Sequence, residues 1–127
     1  MEWIALVSLL AVLVYMWITL RVGTARGRYE VPAPATTGNE IFERTYRVQQ
    51  NTVEQLLIFL PALWLFGTYL NARVGAAVGL IFVVARIIYA IGYVAEPSKR
   101  GTGFLIGFLA NVVLVLGALA GIVLKLL

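Results

Sequence analysis

Two arginines, an asparagine and a glutamate, Arg44, Arg47, Asn51 and Glu54, stand in the run FERTYRVQQNTVEQ, Phe42 to Gln55. At about 100° per residue they share one helical stripe with Gln55, while Gln49 points roughly opposite. Such a stripe suits a zwitterionic ligand: guanidinium for carboxylate, carboxylate for ammonium, amides for peptide groups. It equally suits a structural role in which Arg47 and Glu54 pair with Arg86 inside a bundle. The run leads without a break into the apolar stretch Leu56–Leu70. Charge entering a membrane is costly and usually serves function.

A second polar set lies further along. Arg86, Tyr89 and Tyr93 are spaced i, i+3, i+7 and share a helical face inside an apolar segment. Tyr93 alone reads as an interface anchor; an arginine one turn before Tyr89 favours a polar pocket. Arg100 follows Pro97-Ser98-Lys99. Arginine stays protonated and cannot serve as a base at neutral pH, but it stabilises an anion. A ligand thiol beside it would shift toward thiolate. By itself Arg100 also fits a positively charged membrane-edge anchor.

These residues need helices to hold them, and the composition requires those helices to lie in lipid. The chain has 127 residues, 61% hydrophobic and 13% charged, with mean hydropathy +0.93. So much apolar surface on a chain this small needs the bilayer as solvent. There is no cysteine and no histidine. Their absence excludes disulfides, protein thiolate nucleophiles, Ser/His triads and nearly all zinc or copper sites. Any thiol chemistry must come from a ligand. The net charge of +4 reflects the basic loops of a membrane protein rather than nucleic-acid binding.

Four apolar segments are candidate spans: Trp3–Leu20, Leu56–Leu70 (its helix starting near Glu40), Gly75–Ala95 interrupted by Arg86, and Gly103–Leu124 containing Asn111. The first begins with Glu2 and lacks a small-residue cleavage site, which is unlike a signal peptide. The pattern predicts an all-α integral membrane four-helix bundle, one domain over residues 1–127. Arg21, Arg26, Arg28, Arg44 and Arg47 cluster at the first loop and Lys99 and Arg100 at the third, against Arg73 and Lys125 elsewhere. The positive-inside rule then puts those loops in the cytosol and both termini outside. The first loop is expected over Val22–Asn39, stiffened by Pro32 and Pro34, with Asn39 capping the next helix. Pro61 is expected to kink the second span near Leu57. Gly107, Gly117, Ala118 and Gly121 permit close helix contact in the fourth.

FERTYRVQQNTVEQ together with ARIIYAIGY resembles the MAPEG family, membrane-associated proteins in eicosanoid and glutathione metabolism. The resemblance is carried by about Thr24 to Arg100. It implies a homotrimer of four-helix bundles with a glutathione site at each subunit boundary, open to the cytosol. Arg47, Asn51, Glu54, Tyr89, Tyr93 and Arg100 would line the site from one subunit, and Arg26 and Gln49 would reach in from the neighbour. Arg100 matches the arginine that stabilises the glutathione thiolate, and Arg86 a buried arginine of the third span. The chain departs from the eicosanoid-synthesising branch at Gly27, where a second arginine follows the one matching Arg26. It also departs at Gln55, in place of a tyrosine, and at Pro97.

The resemblance implies a membrane glutathione transferase, with glutathione as co-substrate and no metal. It would act on lipophilic electrophiles or lipid hydroperoxides, the latter as a peroxidase. The compact loops and the lack of a retention tail point to a bacterial inner membrane. The alternative is a non-catalytic lipid-binding scaffold of the same family. A four-span multidrug transporter is disfavoured, because the first span carries no carboxylate after Glu2.

Overall fold

The computed structural model describes residues 1–127. Four helices, α1 (Glu2–Tyr29), α2 (Glu40–Tyr69), α3 (Ala72–Ala95) and α4 (Arg100–Leu126), account for almost the whole chain, with a 3₁₀ turn at Pro97–Lys99. All four are long and apolar enough to cross a membrane. Helices suit that solvent because each satisfies its own backbone hydrogen bonds where no water can. The 30 residues of α2 rise about 45 Å at 1.5 Å each, longer than a ~30 Å hydrocarbon core. Its first turns therefore project from the membrane.

Local chemistry sets the helix ends. Asn39 Oδ1 accepts from the backbone N–H groups of Ile41 (2.9 Å) and Phe42 (3.0 Å), starting α2 where the sequence indicates. Asn71 Oδ1 accepts from the Val74 N–H at 2.9 Å, so α3 begins before its apolar run does. The helix α2 continues through Pro61. The first loop is shorter than expected: Val22–Tyr29 belongs to α1, and only residues 30–39 connect to α2. What ends α1 is Glu30 in the left-handed conformation (φ 57°), its N–H donating to the Arg26 carbonyl. Val31 then turns inward to pack with Val22, Ala25 and Phe42.

The helices α2 and α3 pack on each other, α1 packs on both from one side and α4 on both from the other. The α1–α3 and α2–α4 seams thus lie on opposite sides of the bundle. The main core joins Ile4, Phe59, Leu63, Phe82 and Leu114, with Phe59 and Phe82 stacked at 4.0 Å between ring centroids. The outside is apolar, with Leu9, Leu13, Leu57 and Leu116 well exposed, while Arg86 and Asn111 are buried. That inverts the pattern of a soluble protein and suits lipid.

Close backbone approaches tie α4 to its neighbours. A Cβ on Gly103 would stand 2.7 Å from the Tyr89 nitrogen, and one on Gly121 2.5 Å from the Tyr69 carbonyl oxygen. Gly117 is tight against the Phe66 and Leu70 side chains rather than backbone, and Gly107 has ordinary contact distances.

Candidate functional site

The two polar sets of the sequence converge at the end of the bundle carrying the residue 30–39 and 96–99 connections. Arg47 and Asn51 from α2, Tyr89 and Tyr93 from α3, and Arg100, Gly101 and Phe104 from α4 line a cleft of about 380 Å³. Tyr89 and Tyr93 are stacked with ring centroids 5.6 Å apart, and Phe104 is 6.3 Å from Tyr89. Three aromatic rings and two guanidinium groups thus line one cleft. Gly101 and Phe104 were not singled out in the sequence; their proximity to Arg100 was the only signal.

Arg86 supports the cleft from behind. Its Nη2 donates to Asn51 Oδ1 and to Thr52 Oγ1, both at 2.8 Å. Thr52 Oγ1 in turn donates to the Val48 carbonyl at 2.7 Å. The Arg86 guanidinium lies 4.3 Å from the centre of the Tyr89 ring. Arginine has only donors, so Asn51 must turn its oxygen to Arg86, which leaves its NH₂ to serve the cleft. The pairing of Arg86 with Arg47 and Glu54, open from the sequence, does not form; Nη2 of Arg86 meets neutral oxygens instead, and its buried Nε has no hydrogen-bond partner. Thr52 is a partner that the stripe did not include.

Arg47 and Glu54 do pair, Nη1 to Oε1 at 3.2 Å, with both side chains more than half exposed. About 20 residues counted back from Tyr69 reach Gln50, which puts Glu54 within the hydrocarbon core. An ion pair left facing lipid at that depth is costly.

Arg100 is exposed and is the first residue of α4, a helix without a side-chain cap. Its charge stands at one edge of the cleft and favours an anion, while its backbone N–H is donated to the Pro97 carbonyl. No group of three or more potential metal-binding side chains exists.

The remaining candidates lie elsewhere in the chain. Arg44 ties α2 to the end of α3, donating to the Val94 carbonyl at 2.9 Å and pairing with Glu40 at 3.0 Å. Gln55 turns to α4, its Oε1 accepting from Asn111 Nδ2 at 3.1 Å. Gln49 donates to Thr19 Oγ1 on α1 at 3.2 Å, away from the cleft, as its helical angle requires. Arg26 Nη1 holds the first loop, donating to the carbonyls of Val31 (3.1 Å) and Ala35 (2.7 Å). Its guanidinium also stacks 4.8 Å from the centre of the Phe42 ring. Neither Arg26 nor Gln49 touches the cleft of its own chain.

Comparisons with known proteins fit this arrangement. The chain is 48% identical over 120 residues to an uncharacterized protein of Synechocystis sp., covering 94% of this chain and 88% of that one. It is 42% identical over 118 residues to human microsomal glutathione S-transferase 2, covering 91% and 80%. It is 38% identical over 97 residues to bovine leukotriene C4 synthase, covering 76% and 65%. The model of the MAPEG family matches residues 4–120, a span that includes every residue of the cleft. The chain is a multi-pass membrane protein belonging to the MAPEG family.

Proposed function

We propose that the protein is a homotrimeric membrane glutathione transferase. The observation that carries this reading is the cleft itself. In a MAPEG member, a cation pair, a donor amide and two tyrosines meet beside the start of α4. Relatives named as glutathione S-transferases, at about 40% identity, support glutathione as co-substrate.

Arg47 would take a glutathione carboxylate, Glu54 its ammonium, and the Asn51 NH₂ a peptide carbonyl, with Tyr89 and Tyr93 against the backbone. Arg26 and Gln49 would come from the neighbouring subunit, whose packing would also cover the exposed Arg47–Glu54 pair. Arg100 would hold the sulfur as thiolate. The thiol proton leaves to solvent, since a guanidinium cannot accept it. The thiolate attacks an electrophilic carbon of a lipophilic substrate arriving from the bilayer and forms a C–S bond as the leaving group departs. With a lipid hydroperoxide it would attack the terminal oxygen instead. The O–O bond breaks, the alkoxide takes a proton from solvent and leaves as the alcohol, and a second glutathione thiol condenses with the sulfenic acid to give disulfide and water.

The basic residues of the first and third loops support a cytosolic cleft with both termini outside, and the reading assigns the protein to a bacterial inner membrane. A stopped-flow ultraviolet titration with glutathione tests the reading. A thiolate absorbance at neutral pH that is lost in Arg100→Ala is expected. Binding without thiolate would remove Arg100 from its role. No binding at millimolar glutathione would leave the lipid-binding scaffold.

A further inference from the structure

The side of the bundle opposite the α2–α4 seam carries a second feature with its own chemistry. At the basic end of α1, Trp17, Arg21, Arg28 and Tyr29 line a cleft of about 430 Å³ whose other walls are the first turns of α2 and Val94 at the end of α3. Neither arginine has a carboxylate partner: the ion pairs of the molecule use Arg44, Arg47, Lys99 and the N-terminus. The Arg21 guanidinium rests 5.0 Å from the Trp17 ring centre and makes only a long 3.4 Å contact to the Ala90 carbonyl. Arg28 lies 5.6 Å from the Tyr29 ring centre. Two guanidinium groups without carboxylate partners, flanked by Trp and Tyr, have the composition of a membrane interface.

The cleft does not end there. Trp17 also lines a wholly apolar groove of about 330 Å³, formed with Leu10, Leu13, Val14, Val83 and Ile87. Leu10 in turn lines a groove of about 480 Å³ that continues along the same seam. From Trp17 back to Leu6 the helix rises about 16 Å, the depth of half a ~30 Å hydrocarbon core. The seam therefore presents a cationic mouth at one interface and an apolar track as long as one leaflet.

We propose that this seam binds an anionic phospholipid, its phosphate between Arg21 and Arg28 and one acyl chain along the α1–α3 groove. Guanidinium is the preferred donor for phosphate, and basic pockets between spanning helices on the cytoplasmic side take anionic headgroups. A second copy of the chain fits less well. The charged face that needs covering is the Arg47–Glu54 stripe of α2, and none of the residues lining the seam is acidic. The proposal is independent of the glutathione reading.

Trp17 supplies the probe. Protein carrying Trp3→Phe and Trp64→Phe retains Trp17 as its single tryptophan. It is reconstituted in equimolar phosphatidylglycerol and phosphatidylcholine, with bromine on the acyl chains of one lipid or the other. Quenching by brominated phosphatidylglycerol should exceed that by brominated phosphatidylcholine, reflecting about a fivefold preference per arginine. Arg21→Gln with Arg28→Gln should abolish the preference, and the double lysine variant should keep most of it. Equal quenching by the two lipids, or a preference that survives the glutamine variants, would overturn the proposal. So would loss of the preference on adding inorganic phosphate alone, which would mark a plain anion site. A Trp17 quenched by neither lipid, in an oligomer that dissociates when both arginines become glutamine, would mark the seam as a subunit contact and overturn it too.

Discussion

Arg86 and Asn51 share a hydrogen bond of 2.8 Å from Nη2 to Oδ1, and that bond determines which face the asparagine shows to the cleft. A buried cation with no anion beside it is held by two neutral oxygens and the face of Tyr89. The arrangement fixes an amide donor, a tyrosine ring and the α2–α3 register with one side chain.

Asn51→Asp separates support from recognition. The carboxylate keeps an acceptor for Arg86, so the fold and thermal stability should be retained. The NH₂ facing the cleft is replaced by an acceptor, and glutathione binding should weaken roughly tenfold, about 1.4 kcal/mol. Isothermal titration beside a melting curve measures both. Unchanged binding would remove Asn51 from the site.

Arg86→Leu should act in the opposite order. It leaves Asn51 and Thr52 without their buried donor, a loss of about 1–3 kcal/mol for a broken buried bond. The midpoint of unfolding in detergent should fall, and the Michaelis constant for glutathione should rise more than turnover falls. Arg86→Lys should recover part of the stability.

Gly103→Ala and Gly121→Ala test whether closeness to the site matters. Each places a methyl against the backbone, near Tyr89 and Tyr69 respectively, and each should cost about 1–3 kcal/mol by overpacking. Only Gly103→Ala should also depress glutathione affinity, because it separates α4 from α3 at Tyr89. Gly107→Ala, where the added carbon finds no contact under 3.6 Å, should be tolerated. Ligand titrations and melting curves of the three variants distinguish these outcomes.

Arg26→Ala should free the first loop. Two carbonyl contacts and the Phe42 stacking are lost together, so limited proteolysis within residues 30–39 should quicken. The helical signal in circular dichroism should hold. In the proposed trimer the same variant also weakens glutathione binding, whereas Arg28→Ala should not.

Arg100→Ala should retain glutathione binding and lose turnover by about 10²–10³-fold, the usual consequence of removing a donor to a developing or resident anion. Conjugation of a chromogenic acceptor reads the rate. Turnover equal to wild type would rule out thiolate stabilisation by Arg100.

The sequence by itself determined four helices, the start of α2 at Asn39, and the stripe that puts Arg47 with Asn51 and Gln49 opposite. These follow from helical angle, capping chemistry and apolar run length, all local quantities. Tyr89 and Arg86 on one face of α3 were legible for the same reason. The end of α1 was not, because hydropathy marks where lipid is, not where hydrogen bonding stops. Val22–Tyr29 stays helical until Glu30 turns left-handed and Val31 packs on Phe42. Nor could the sequence choose Arg86's partners among Glu54, Asn51 and Thr52. That choice rests on the relative register of α2 and α3. Glu54 lies on an exposed face of α2, while Asn51 and Thr52 are buried where α3 delivers the guanidinium. Only tertiary packing makes that distinction, since all three residues stand on the same helix within one turn.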